Sequence, residues 1–161
     1  AIYLAKIETK YWIEYICKRF ENTGKHISPE LAEEICRLVD NHSSYVQQLS
    51  WLLWIRTINT ATTEQLSYAL EDLLDQNNIL FQSETENLSA YQMNFLKAIV
   101  DGIHTKFSSK EVISKYNLGT SANIVRLKNA LLQKELIETN GKEIVLADPV
   151  FGVWFKKEML Y

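Results

Sequence analysis

The sequence predicts a mainly α chain in two parts, the second ending in a short two-stranded hairpin. Three observations predict it. Only 5 Gly and 2 Pro occur in 161 residues that are 47% apolar, a composition of helices and short connections with enough apolar side chain for real cores. Apolar residues recur at helical spacing along most of the chain. The exception is Asn140-Gly141 between two β-prone runs, a strong hairpin signal. Three helix patterns followed by a hairpin outline a winged helix-turn-helix. The expected organisation is therefore a small helical domain, residues 1–85, and then a winged helix-turn-helix with a two-stranded wing, residues 86–161.

In the first part, Ile2 to Ile7 reads as a short strand or an extended lead-in. Trp12, Ile16 and Phe20 recur at i, i+4 and i+8 in a helix over Tyr11 to Glu21, which Gly24 closes. Ser28-Pro29 supplies an N-cap and a first helical residue, and Leu31, Ile35 and Leu38 form the buried stripe of a second helix. Ser43 or Ser44 caps a third, Tyr45 to Ile58, with Val46, Leu49 and Leu53 turned one way. Thr62-x-x-Gln65 is a capping box opening a fourth helix whose inward residues are Leu66, Ala69, Leu70, Leu73 and Leu74.

In the second part, Leu88, Ser89, Gln92 and Met93 combine a hydrophobic staple with a capping box, and Phe95, Leu96 and Ile99 carry the apolar face on to Gly102. The signature repeats at Phe107, Ser108, Glu111 and Val112, opening a short helix that ends near Asn117-Leu118-Gly119. Thr120 or Ser121 caps the next, Ala122 to Gln133, with Ile124, Leu127, Ala130 and Leu131 on one side. Its opposite side carries Ala122, Arg126, Asn129 and Gln133. Leu136 to Thr139 and Lys142 to Val145 flank Asn140-Gly141 as a hairpin with a type I′ turn, and Asp148-Pro149 caps a last helix containing Val150, Val153 and Trp154.

Charge is uneven: residues 1–85 hold 7 Lys/Arg against 12 Asp/Glu, residues 86–161 hold 10 against 8. That balance permits nucleic-acid contact without requiring it. Cys17 and Cys36 lack metal-ligand spacing and read as reduced core thiols of a cytoplasmic protein. No segment approaches the roughly 18 apolar residues of a membrane span, and no signal-peptide pattern opens the chain. The chain starts in mid-pattern at Ala1, as though cut from something longer. The run Asp40 to Gln48 contains Ser and His but no nucleophile elbow or Gly-rich oxyanion loop, so a turn and an N-cap explain it better than catalysis. Its helix N-terminus could still meet a phosphate or nucleotide edge. On the third helix of the winged region, Arg126 is the outward basic residue; Thr120, Ser121, Asn123, Lys128, Asn129 and Gln133 could assist, with Lys142 at the wing tip. Contact with DNA and contact with a protein partner remain equally open on these residues.

The segments LAKIETKYWIEYICKRFENTGKHIS, LVDNHSSYVQQLSWLLW, LSAYQMNFLKAIVDG, NLGTSANIVRLKNALLQKELIE and ADPVFGVWFKK, in this order, resemble the C-terminal part of the archaeal-type P-loop ATPases, a STAND/AAA+-related family found also in bacteria. The closing D-P-x-F-x-x-W pattern is Asp148, Pro149, Phe151 and Trp154. The resemblance implies a helical lid and a winged helix following an ATPase core, which is the implied partner and would bind ATP and Mg²⁺. Asn41, His42, Ser43 and Tyr45 fall where related lids approach nucleotide, without the Gly and Pro usual there, and Arg56 is the nearest counterpart of a lid arginine. The chain itself has no G-x-x-x-x-G-K-[ST], hence no phosphate cradle, and is expected to be non-catalytic with no bound cofactor. The expected function is coupling of nucleotide state to a winged helix that binds DNA or protein. The rivals are a free-standing winged-helix transcriptional regulator with a helical dimerisation or sensor domain, and a structural adaptor.

Overall fold

The computed structural model describes residues 6–160. Among them lie eight helices and one antiparallel two-stranded sheet: α1 (Thr9–Asn22), α2 (Pro29–Leu38), α3 (Ser43–Arg56), α4 (Thr63–Glu86), α5 (Ala90–Val100), α6 (Lys110–Tyr116), α7 (Ser121–Gln133), β1 (Ile137–Asn140), β2 (Glu143–Leu146) and α8 (Pro149–Met159). The fold is mainly α with a two-stranded wing. Most of the expected lead-in at Ile2 to Ile7 lies outside the described residues; Lys6 and Ile7 carry no regular structure. The chain divides into two compact units, 1–77 and 78–161. The seam thus falls inside α4, eight residues before the expected boundary. Phe81 and Thr85 explain the shift, since both are buried and Phe81 meets the rings of Phe151 and Trp154 in α8.

In the first unit, Trp12, Ile16 and Phe20 are buried along α1 as their spacing requires. Ser28 accepts the Leu31 N–H at 3.1 Å and Pro29 opens α2. The buried stripe of α2 is Leu31, Ala32, Ile35 and Cys36, continued by Val39, so Leu38 is displaced from the centre of the core. A single parallel bridge joins two loops: His26 N–H donates to Asn59 O and Ala61 N–H to His26 O, each at 2.8 Å. The Thr62–Gln65 capping box forms, with reciprocal bonds of 3.1 and 3.2 Å. Both cysteines are free. Burial pushes the Cys36 thiol up to about 11, which makes it unreactive as a thiolate at neutral pH.

In the second unit, Ser89 and Gln92 complete the α5 capping box, and Asp148 accepts the Val150 and Phe151 N–H groups at the start of α8. Two local expectations shift by one residue. The α6 cap is Ser109, accepting Val112 N–H at 3.2 Å, so the expected Ser108–Glu111 box does not form. The hairpin pairs Asn140 with Glu143, which makes Gly141-Lys142 the two-residue loop instead of Asn140-Gly141. Gly141 has φ +64° and Lys142 is not in the positive-φ region, the pattern of a type II′ turn rather than I′. This register sets Leu146 opposite Ile137, where its side chain fills the space left by the missing Cβ of Gly152 on α8. An extra connection closes the sheet edge: Ile144 N–H donates to His104 O at 2.8 Å, and His104 Nδ1 lies 3.0 Å from Ile144 O. A carbonyl can only accept, so the proton of the neutral ring sits on Nδ1.

Candidate functional site

The third helix of the second unit, α7, is positioned by Ile124, Leu127 and Leu131, all buried. At about 100° per residue, that seam turns Ala122, Val125, Arg126, Asn129 and Gln133 outward, and each is exposed. Arg126 has no ion pair or hydrogen bond among the described residues. Beside it, Tyr91, Gly119, Thr120, Ala122 and Asn123 line a shallow cleft of about 260 Å³. Gly119 holds φ +86°, and a Cβ there would lie 3.2 Å from Asn123 Nδ2 and 3.4 Å from the Tyr91 ring. Glycine therefore lets the turn between α6 and α7 run close under both side chains.

The candidate residues separate accordingly. Thr120, Asn123 and Arg126 come together around the cleft. Thr120 holds the N-cap position of α7 without a side-chain cap bond, and Ser121 is the first helical residue. The Asn123 amide has a structural part, donating to Leu118 O at 3.1 Å and bracing the turn. Asn129 and Gln133 continue the exposed face, while Lys128 sits at its half-buried margin. Lys142 is exposed in the hairpin turn and does not line the cleft. The solvent side of the wing carries Glu138, Asn140 and Glu143, so Lys142 has two carboxylates on the same short hairpin. Sequence reasoning missed Tyr91 and Val125. Val125 was legible as an apolar residue out of phase with the buried seam; Tyr91 becomes visible only once the turn brings it over Gly119.

In the first unit, Asp40 and Asn41 both adopt left-handed φ, 49° and 53°. Asn41 N–H returns to Cys36 O at 2.9 Å, closing α2, and the chain leaves extended at His42. His42, not Ser43 or Ser44, therefore occupies the N-cap of α3, and its ring makes no cap bond. Ser43 begins the helix, while Ser44 accepts from Gln48 instead. The Asn41 amide donates to Thr9 Oγ1 at 2.9 Å, whereas Asn41 Oδ1 and His42 Nδ1 are buried without a partner among the described residues. Tyr45 is buried with its ring 4.7 Å from that of His42. Arg56 is held by Asp72 through two bonds, 2.7 and 2.9 Å, and lies over the Tyr68 ring. That pairing holds the Asp72 carboxyl below its ordinary range and leaves Arg56 engaged within its own unit. A separate groove of about 550 Å³ is lined by Tyr15, Arg19, Gln47, Trp51 and Trp54, and its two aliphatic hydroxyls, Ser50 and Thr23, are engaged with Val46 O and Trp54 Nε1 and have no histidine or carboxylate beside them in the lining. Among the described residues no three His, Cys, Asp or Glu side chains are placed to hold a metal. No described helix is long and apolar enough to cross a membrane.

Residues 79–157 match the family model described as "Probable winged helix domain". With the helix order, the paired hairpin and the buried α7 seam, that decides the second unit. Residues 79–157 are a winged helix. Among solved structures the chain superposes on a Walker-type ATPase of Pyrococcus abyssi with a TM-score of 0.69 at 18% identity, covering 94% of this chain. The chain spans 42% of the length of that ATPase, and the likeness is one of fold. No curated protein matches the sequence. The winged helix therefore sits in a chain that shares its architecture with part of a P-loop ATPase.

Proposed function

We propose that this chain is the non-catalytic C-terminal portion of a P-loop ATPase and that its winged helix binds duplex DNA through α6 and α7. One observation carries the choice of DNA over protein. Residues 112–134, which hold all of α7 and the last five residues of α6, contain Lys115, Arg126, Lys128 and Lys134 and no carboxylate, with Glu111 and Glu135 just outside, in a chain of net charge −3. A polyanion can approach α7 without meeting a like charge on that helix. The exposed wing residues Glu138 and Glu143 oppose a backbone contact along the hairpin, so α7 carries the interaction and Lys142 reaches only from the tip.

In the parent protein, ATP and Mg²⁺ belong to a core outside this sequence, and nucleotide state there would set the position of the first unit, which acts as a lid. Both Gly-Lys pairs in the chain, Gly24-Lys25 and Gly141-Lys142, lack the upstream glycine and the following Ser or Thr of a phosphate-binding loop. The likeness to a Walker-type ATPase supports this assignment over a free-standing regulator. The test is a fluorescence-anisotropy titration of a mixed-sequence duplex at two salt concentrations with wild type, Arg126→Ala and Lys142→Ala. Weak, salt-sensitive binding that Arg126→Ala reduces by about 1–3 kcal/mol supports the reading. Absence of binding even at low salt transfers the winged helix to the protein-binding class.

A further inference from the structure

The outward face of α7 holds a chemical pattern more specific than affinity for phosphate. Three kinds of group lie side by side on it: the Arg126 guanidinium, the Asn129 amide, and the apolar pair Ala122 and Val125. Val125 is 64% exposed, whereas its neighbours Ile124 and Leu127 are 6% and 5% exposed. A β-branched residue is a poor choice for an exposed helical position on propensity alone. A single exposed valine needs no explanation in general. This one borders Arg126 and stands three residues from Ala122 and four from Asn129, on a helix with no Asp or Glu.

In the major groove those groups have distinct complements. A guanidinium pairs with guanine O6 and N7, an Asn amide with adenine N6 and N7, and apolar side chains meet the thymine C5 methyl. The carboxylate that most often accepts from cytosine N4 is absent from α7. Resting on the DNA reading above, we infer that the preferred duplex site contains a T·A pair adjoining the G·C pair contacted by Arg126, and that Val125 reads the thymine methyl.

The experiment starts from selection of binding sites out of a randomised duplex library by the whole chain, with Arg126→Ala run in parallel to locate the guanine. Each thymine near that guanine is then replaced singly by deoxyuridine, which lacks only the methyl group. Loss of one buried methyl should weaken wild-type binding by about fourfold at one thymine and leave the others unchanged. Val125→Thr keeps a methyl group and should retain the discrimination; Val125→Ser should bind thymine and uracil duplexes alike. Because Val125 is 64% exposed, both variants should melt with the wild type, which is checked directly. Wild-type indifference to uracil, discrimination surviving in Val125→Ser, or a selected site with no thymine beside the guanine overturns the inference while leaving DNA binding intact. Failure to bind any duplex overturns both.

Discussion

Replacing Trp154 by Ala tests whether α8 is an integral part of the winged helix. The side chain is 1% exposed, its ring centroid lies 5.6 Å from that of Phe81 and 5.8 Å from that of Phe151, and its indole N–H donates to Asn78 Oδ1 at 2.8 Å. Its ring partners, Phe81 and Phe151, come from α4 and from α8 itself. Truncation removes a large buried aromatic and leaves a cavity, a change that costs about 3–5 kcal/mol, and strips the Asn78 carbonyl of its donor for about 1 kcal/mol more. Trp154→Phe separates the two contributions, since it keeps most of the ring and loses the donor; we expect about 1–2 kcal/mol. Urea unfolding followed by far-UV circular dichroism supplies the measurement, because Trp154 is the sole tryptophan of the second unit and its removal deletes the fluorescence probe. The two units are expected to unfold in separate transitions, of which only the one assigned to residues 78–161 should move. A loss below about 1 kcal/mol would refute the docking of α8.

Four further outcomes are expected. Calorimetry should detect no Mg²⁺-dependent ATP binding at micromolar affinity and a phosphate-release assay no hydrolysis, since the chain lacks a phosphate-binding loop; either signal would sink the non-catalytic assignment. Arg126→Ala should weaken duplex binding more than Lys142→Ala does, and equal effects would mean that α7 is not the reading helix. A Cβ at Gly152 would lie 2.7 Å from Leu146 Cδ1, so Gly152→Ala should realise the roughly 1 kcal/mol gain of alanine in a helix only when Leu146→Ala is present, and additive melting shifts would contradict the contact. Arg56 holds the Asp72 carboxyl below its ordinary value, so the pair's stabilisation is complete above the unfolded carboxylate pKa and fades as pH falls through the folded one. Asp72→Asn should therefore flatten the acid limb of the first unit's stability profile, and an unchanged limb would show the pair to be energetically silent.

Local chemistry made most of the fold legible. Ser28, Thr62, Ser89 and Asp148 each cap the helix their spacing announces, because an N-cap depends on atoms within three residues of itself. Local chemistry also explains the slips. Ser108 and Ser109 are equally able caps, and the choice falls to Ser109 because Lys106, at φ 57°, turns the chain just before it. The observed hairpin register brings Leu146 onto Gly152, a contact that no window around Asn140-Gly141 contains. At the α2–α3 junction, two consecutive left-handed residues carry the cap to His42, a histidine where serines stood next in line. For the candidate surface, the exposed phase of α7 was readable from its period, and so was Arg126. Tyr91 was not, because its place over Gly119 is a product of tertiary folding.

The seam at Asn77 and Asn78 has a practical consequence for anyone moving this winged helix into another protein. A cut placed where the helix-turn-helix pattern begins, at Glu86, would leave behind Asn78, Phe81 and Thr85, and with them the hydrogen-bond acceptor of Trp154 and an aromatic partner of Phe151 and Trp154. The portable module is residues 78–161, carrying the last nine residues of α4 as its own first helix. Swapping winged helices between relatives would succeed at that inner seam and would yield aggregation-prone grafts at the outer one.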